Sequence, residues 1–306
     1  MDPIIKYCGG KRREIKYFAK YFPDSFETYY EPFLGGGAVF FEFMPKWVVT
    51  KWVVTKWGVT KWGVTKWGVT KNAFLSDSNR QLMNFYKDFS KHYQRIRNEL
   101  KCLEAEYRVN QMEYELEKKI NPNEHVVNRN ENRYYLFRSA MNGHRYCDYS
   151  SAAVYYYINR LAYAGLTRFN SKGEFNAPFG HYKKFSIENA DLAHAQLLQQ
   201  AELKCCKYQA AFNRMTEKDF AFLDPPYDGV FSNYGTEFGE KEHRELAQDF
   251  RNLSGKALMV IGKTPLTEEL YRGLIKDEYG VKYAIDIKNR MPRNNGHLII
   301  TNYTNY

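Results

Sequence analysis

Apolar and polar positions along the chain fall into blocks whose period switches between two and about 3.6, the signature of strands followed by helices. Short apolar runs stopped by turn residues predict strands just before the Gly35-Gly36-Gly37 turn, at 73–77, 220–223, 257–261, 281–285 and 297–301. Helical spacing appears from about 12 up to Pro23, after Gly37, from 80 to 120 with a break at Pro122, and again at 132–142, 152–162, 240–253 and 267–275. Strands alternating with helices in this order predict an α/β fold built on a doubly wound, mostly parallel sheet. The alternation lapses between 90 and 200, where charged helices lead into a glycine-punctuated, hairpin-like stretch. Residues 1–89 and 201–306 are therefore expected to form one domain, with 90–200 inserted as a second.

One segment follows neither period. From Lys46 to Thr70 the chain repeats Lys-Trp-Val-Val-Thr twice and Lys-Trp-Gly-Val-Thr three times. Five-residue units are far shorter than ordinary solenoid repeats, and a tryptophan in each does not suit a coiled β-helix interior. The segment reads as an expanded, dispensable insertion at the amino ends of the strands, away from the ligand side of such a sheet. An extra aromatic and basic contact to nucleic acid is its functional alternative.

Composition narrows the partners. The 306 residues carry a net charge of +10 and include 26 Tyr and 21 Phe. Lysines and arginines gain affinity for a polyanion through counterion release, and aromatic rings among them suit base stacking. The five cysteines are odd in number and lack Cys-x-x-Cys spacing, so neither a disulfide framework nor a structural metal is expected. No run of roughly 20 apolar residues suits a membrane span, and the N-terminus, which opens Met1-Asp2-Pro3, lacks a basic-then-apolar signal pattern, so a cytoplasmic location is expected.

Candidate chemistry concentrates where apolar runs end. Phe220 to Leu223 stops at Asp224-Pro225-Pro226-Tyr227, because a proline pair cannot donate to a sheet ladder. A carboxylate, an unpaired carbonyl and a ring at a strand's carboxyl end suit a flat heterocycle bearing an amine; a plain proline turn is the alternative. Phe33-Leu34-Gly35-Gly36-Gly37 forms a turn into a helix, where glycines let a ligand approach the backbone, yet it has neither dinucleotide nor phosphate-loop spacing. Asp77 ends the next strand 40 positions after Gly37, and discounting four of the five pentamers leaves 20, the distance at which nucleotide folds place a ribose-binding acid; a helix cap is its plain reading. Near the start, Tyr7-Cys8-Gly9-Gly10-Lys11 offers backbone access and a cation. The hairpin from Asn159 to Lys184 interleaves basic, amide and aromatic residues, as expected of an element laid on DNA.

These motifs, in this order, resemble the Dam-type (alpha-class) DNA adenine methyltransferases over nearly the whole chain outside the repeats and the helices of 90–130. The resemblance implies that 1–89 with 201–306 is the S-adenosylmethionine-dependent catalytic domain and 90–200 a target-recognition domain. It assigns Tyr7, Lys11, Phe33, Gly35, Gly37, Asp77, Phe212 and Asp224 to S-adenosylmethionine, and Asp224, Pro225, Pro226 and Tyr227 to the adenine amine. Arg160, Tyr163, Leu166, Arg168, Asn170, Pro178 and Tyr182 are matched to double-stranded DNA, and a cognate restriction endonuclease becomes a possible partner. Members that methylate GATC typically carry Asn and Arg where this chain has Ala164 and His181, so the target sequence stays open. The rival expectations are a catalytically silent DNA-binding relative and an amino-methyltransferase acting on cytosine N4, RNA or a protein glutamine.

Overall fold

The computed structural model describes residues 1–7, 9–48, 53–55, 58–60, 72–228, 238–281 and 295–304. The N-terminal strap passes through a 3-10 turn at Lys11–Arg13 into α1 (Ile15–Phe18). Then follow β1 (Thr28–Glu31), α2 (Ala38–Val48), β2 (Val53–Thr55), β3 (Gly58–Thr60), β4 (Asn72–Asp77), α3 (Arg80–Lys91), α4 (Tyr93–Ile120), α5 (Arg129–Met141), α6 (Ser151–Leu161) and α7 (Leu192–Gln199). The chain closes with β5 (Ala201–Cys205), α8 (Gln209–Phe212), β6 (Phe220–Leu223), α9 (Glu240–Asn252), β7 (Lys256–Gly262), α10 (Pro265–Leu270), β8 (Ile275–Val281) and β9 (Asn295–Thr301).

Seven strands form one sheet in the order β5-β4-β1-β6-β7-β9-β8. All neighbours pair parallel except around β9, which runs antiparallel to both β7 and β8. Chain order reverses between β1 and β6, and in open α/β sheets the crevice at the carboxyl ends of such strands is the ligand site. The expected doubly wound sheet is therefore present. β6 is buried at all four positions because it lies in mid-sheet with both faces covered. Phe220 and Phe222 enter the apolar cluster on one face, while Ala221 and Leu223 enter the cluster on the other. The first cluster runs on without interruption into α4, α5 and α6 through Leu100, Tyr134 and Tyr157.

Local chemistry sets the helix starts. Asn79, Asn128, Ser150 and Asp191 each accept a backbone N–H of the first turn of α3, α5, α6 and α7. Two expectations need correction. The helix expected at 267–275 ends at Leu270, and the following strand is β8 at Ile275–Val281, with 282–285 outside the described residues. Edge strand β5 carries no apolar run, only partial burial at alternate positions, and so gave no strand signal. Of the pentapeptide segment, only the paired strands β2 and β3 and the end of α2 are described.

Phe220 packs among the rings of Phe22, Phe26, Tyr29 and Tyr303. Phe220→Ala leaves a cavity at the centre of the sheet and is expected to lower unfolding free energy by about 3–5 kcal/mol, measured by urea denaturation.

Candidate active site

The carboxyl edge of the sheet gathers three carboxylates: Glu31 ends β1, Asp77 ends β4 and Asp224 follows β6. Between the first two runs the glycine turn. Gly35 and Gly37 have φ of +48° and +66°, and a Cβ on Gly35 would stand 2.8 Å from the Tyr7 ring, so the turn needs glycine for both conformation and space. Asp77 Oδ2 accepts the Gly35 N–H at 3.0 Å and Oδ1 accepts that of Asn79 at 2.8 Å. Tyr86 donates to the Gly35 carbonyl at 3.0 Å from α3. Burial pushes the Asp77 carboxyl above its ordinary range, and the N–H donors of Asn79, Gly35 and Ser78 pull it back. Tyr7, Gly35, Gly37 and Asp77, separated widely in sequence, thus form one packed unit.

Lys11 binds this unit's neighbour. Its ammonium is 2% exposed and donates to Asp224 Oδ1 at 2.9 Å, to the Tyr227 hydroxyl at 2.6 Å and to the Gly9 carbonyl at 2.9 Å. Burial raises the Asp224 carboxyl and nearby Glu14 raises it further, against the lowering charges of Lys11 and His297. Asp224 nevertheless keeps 23% of its side chain open to solvent, which suits a group that must meet a ligand. The Tyr227 ring lies against Gly262, where a Cβ would approach to 3.3 Å, and meets the His297 ring edge-on at 5.1 Å.

Beneath this layer lies a cluster that motif reading did not single out. Glu14 accepts from His297 Nδ1 at 2.7 Å and from the Tyr279 hydroxyl at 2.8 Å, with all three side chains buried. Burial opposes ionisation of Glu14, but His297, Lys11 and Tyr279 together hold its carboxyl below the usual range. The available signal was a histidine opening an otherwise apolar strand, and an acid three positions after Lys11 on the same turn.

Phe33 stacks on Tyr208 at 5.7 Å, and Tyr208 meets Phe212 edge-on at 5.1 Å. The two aromatic residues matched to the cofactor are thereby joined into one apolar wall by Tyr208, which no motif marked.

The hairpin is shaped by its own polar groups. Asn170 Oδ1 accepts from Lys172 and Glu174 N–H, each at 2.9 Å, and closes the turn. Arg168, exposed, is held by Asn176 through Nε at 2.8 Å and Nη2 at 3.0 Å. Tyr163 is 55% exposed, whereas Leu166 is partly packed against the core. Tyr163 N–H donates to the Pro178 carbonyl at 2.8 Å, and Tyr107 donates to the Tyr182 carbonyl. Ala164 and His181 are the non-glycine residues with positive φ among the described residues, at 53° and 51°. Lys6, also unmarked in the sequence, ties the hairpin to the strap. It exchanges backbone bonds with the Asn159 amide at 2.8 and 2.7 Å, and its ammonium donates to the Arg160 carbonyl at 2.8 Å above the Tyr182 ring. Burial and then the Arg160 charge lower the Lys6 pKa to about 8.

Glu31, 3% exposed, has its pKa raised from 4.5 to about 8, by burial first, against the hydrogen bonds from Tyr29 and the Phe40 N–H and with added repulsion from Asp224. The native state holds a proton there that the unfolded chain releases near 4.5, so stability falls as pH rises through the window from 4.5 to about 8. Glu31→Gln should flatten that fall, read as urea midpoints across the window. His297→Ala deprives the Glu14 carboxylate of a charge-assisted donor and should cost roughly 1.5–3 kcal/mol in the same assay; His297→Gln, which keeps a donor, should recover part of it.

Residues 7–51 and 64–286 match the D12 class N6 adenine-specific DNA methyltransferase family. The Type II methyltransferase M.CviBI of Paramecium bursaria Chlorella virus NC1A is 31% identical over 309 residues, covering 99% of this chain and 100% of that protein. The DNA adenine methylase of Haemophilus influenzae is 26% identical over 282 residues, covering 89% of this chain and 83% of that protein. The DNA adenine methylase of Escherichia coli strain K12 is 34% identical over 149 residues, covering 45% of this chain and 53% of that protein. The interruption of the family match at 52–63 falls inside the pentapeptide repeats. A seven-stranded sheet whose carboxyl edge joins the glycine turn, Asp77 and Asp224-Pro225-Pro226-Tyr227, together with a family match over most of the chain, makes this an adenine-specific DNA methyltransferase of the D12 class.

Proposed function

We propose that the chain transfers a methyl group from S-adenosylmethionine to the exocyclic N6 amine of an adenine turned out of duplex DNA. The observation that carries this reading is the convergence of Lys11, Asp224 and Tyr227 on one another at the carboxyl edge, beside the point where strand order reverses. An adenine inside a duplex hides its amine, and bringing it to such a site costs a few kcal/mol of unstacking. With Oδ1 bonded to Lys11, Asp224 Oδ2 is the oxygen that accepts one amine hydrogen, and the Pro225 carbonyl accepts the other. Those two acceptors turn the nitrogen lone pair away from the ring and toward an incoming electrophile. Tyr227, braced by Gly262 and His297 and fixed at its hydroxyl by Lys11, offers a ring face for the base.

The residues present suit S-adenosylmethionine. Asp77 beside the Gly35 backbone is an acceptor for ribose hydroxyls, the Phe33, Tyr208 and Phe212 rings form an apolar wall for its adenine, and Lys11 with the Gly9-Gly10 turn faces its carboxylate. Because three acceptors already occupy the Lys11 ammonium, contact with that carboxylate requires sharing or exchange of one of them. When bound, the cofactor supplies a methyl group activated by a sulfonium; the chain's residues orient the amine and exclude water. Arg160, Tyr163, Leu166, Arg168, Asn170, Pro178 and Tyr182 are inferred to lie along the DNA. The Type II names of viral and archaeal relatives favour a restriction-modification setting with a cognate endonuclease.

Asp224→Asn should reduce methyl transfer to duplex DNA by roughly 10²–10³-fold while DNA binding in a mobility-shift assay persists. Asp224→Ala should be as inactive and also less stable, since it strands the buried Lys11. Undiminished turnover in either variant would reject the mechanism. Nucleoside analysis of DNA modified by the wild type should yield N6-methyladenine; N4-methylcytosine in its place would overturn the substrate assignment.

A further inference from the structure

The long helix α4 carries two apolar stripes. Ile96, Leu100, Leu103 and Tyr107 are buried and face the helices packed beside it, α5 and α6. On the opposite side of the helix, Cys102, Ala105, Val109, Met112, Leu116 and Ile120 are all exposed. The four large ones stand at 50%, 66%, 58% and 67% exposure. Among the described residues no other element covers them. Their spacing of 3, 4, 3, 4 and 4 places the first five at the a and d positions of a two-stranded seam, and a contiguous exposed apolar stripe of this kind marks an interaction surface.

The charges beside the stripe specify the partner. One edge carries Lys101 and Arg108, with Glu115 at its far end, and the other carries Glu106 and Glu113. In a parallel pair of such helices, each basic-edge residue faces the acidic-edge residue five positions further along the other helix. Lys101 then meets Glu106 of the second copy, Arg108 meets Glu113 of the second copy, and symmetry doubles both contacts. An antiparallel pair would instead set the acidic edges side by side. Arg133 and Arg129 from α5 each bond one oxygen of Glu106 and Glu113 respectively, which fixes those carboxylates while leaving each a second oxygen. We propose that this face of α4 binds a second copy of the chain in parallel register, making a dimer through the inserted region rather than through the sheet.

The helix is already ordered by its buried stripe, so pairing carries little ordering cost. The seam is about 27 Å long at 1.5 Å per residue, and two helices of that length bury an area at or below the ~1,200 Å² floor of stable complexes. A concentration-dependent dimer follows. Cys102 lies at an a position, so parallel pairing brings it opposite its own copy.

The test uses the full chain. Sedimentation equilibrium should show mass rising toward that of a dimer with concentration. Met112→Glu with Leu116→Glu should hold the chain monomeric at the same concentrations with an unchanged melting temperature and unchanged methyl transfer at low concentration, since both side chains are exposed. A short bis-maleimide should link two wild-type chains in solution, with the product lost in Cys102→Ser and in the Met112→Glu, Leu116→Glu variant. A constant monomer mass up to the limit of solubility overturns the proposal. So does a dimer that persists in the Met112→Glu, Leu116→Glu variant, or a crosslink that does not need Cys102. The methylation reading stands or falls separately, on the Asp224 variants.

Discussion

The ion pair between buried Lys11 and partly exposed Asp224 is the interaction on which the site depends. It links the N-terminal strap to the loop after β6, across more than two hundred residues of sequence, and it holds Tyr227 through the same ammonium. A pair of this kind gains little net stability, because desolvation of both ions offsets most of their attraction. What it provides is position. Removing Asp224 leaves the buried Lys11 charge without its carboxylate, so strap and loop stay in register with each other. Glu14 and His297 extend that constraint one layer deeper and brace the ring of Tyr227 from β9.

The same strap also carries the link to the inserted region. Lys6 bonds Asn159 and Arg160, while Tyr7, the next residue, packs on the glycine turn. The root of the hairpin and the floor of the ligand crevice therefore share one short stretch of backbone. The apolar core tells the same story, since the cluster beneath β6 and β7 continues into α4, α5 and α6. Ala164 and His181, where the family resemblance leads one to expect Asn and Arg, are the two non-glycine residues held at positive φ among the described residues. Asn tolerates that conformation better than Ala does. Ala164 therefore adopts a backbone shape that its own side chain does not favour.

Much of this was legible in the sequence because it rests on local rules. Periodicity located the strands and helices that flank the crevice, since a buried mid-sheet strand such as β6 must be apolar throughout and a proline pair must end it. The glycine turn, the acid at Asp77 and the tetrapeptide after β6 followed from turn chemistry, and discounting the repeats restored their spacing. The shift of the final helix and strand, and the unread β5, show the limit of the same rules. An edge strand needs no apolar run, and a polar strand such as β8 is stabilised by its ladder with β9, not by its own pattern.

What only the tertiary structure decided is who meets whom. Sequence matched Lys11 to a ligand; the fold shows which protein groups it meets, Asp224, Tyr227 and the Gly9 carbonyl. No motif paired Glu14 with Tyr279 and His297 in one hydrogen-bonded cluster, and none joined Phe33 to Phe212 through Tyr208. These contacts are long-range, and side chains that act through burial and mutual desolvation acquire their chemistry only when the sheet brings them together. The sequence by itself determined the parts and their order along the carboxyl edge; the three-dimensional packing determined which charges are paired, which are raised or lowered, and which face of α4 is left open to solvent.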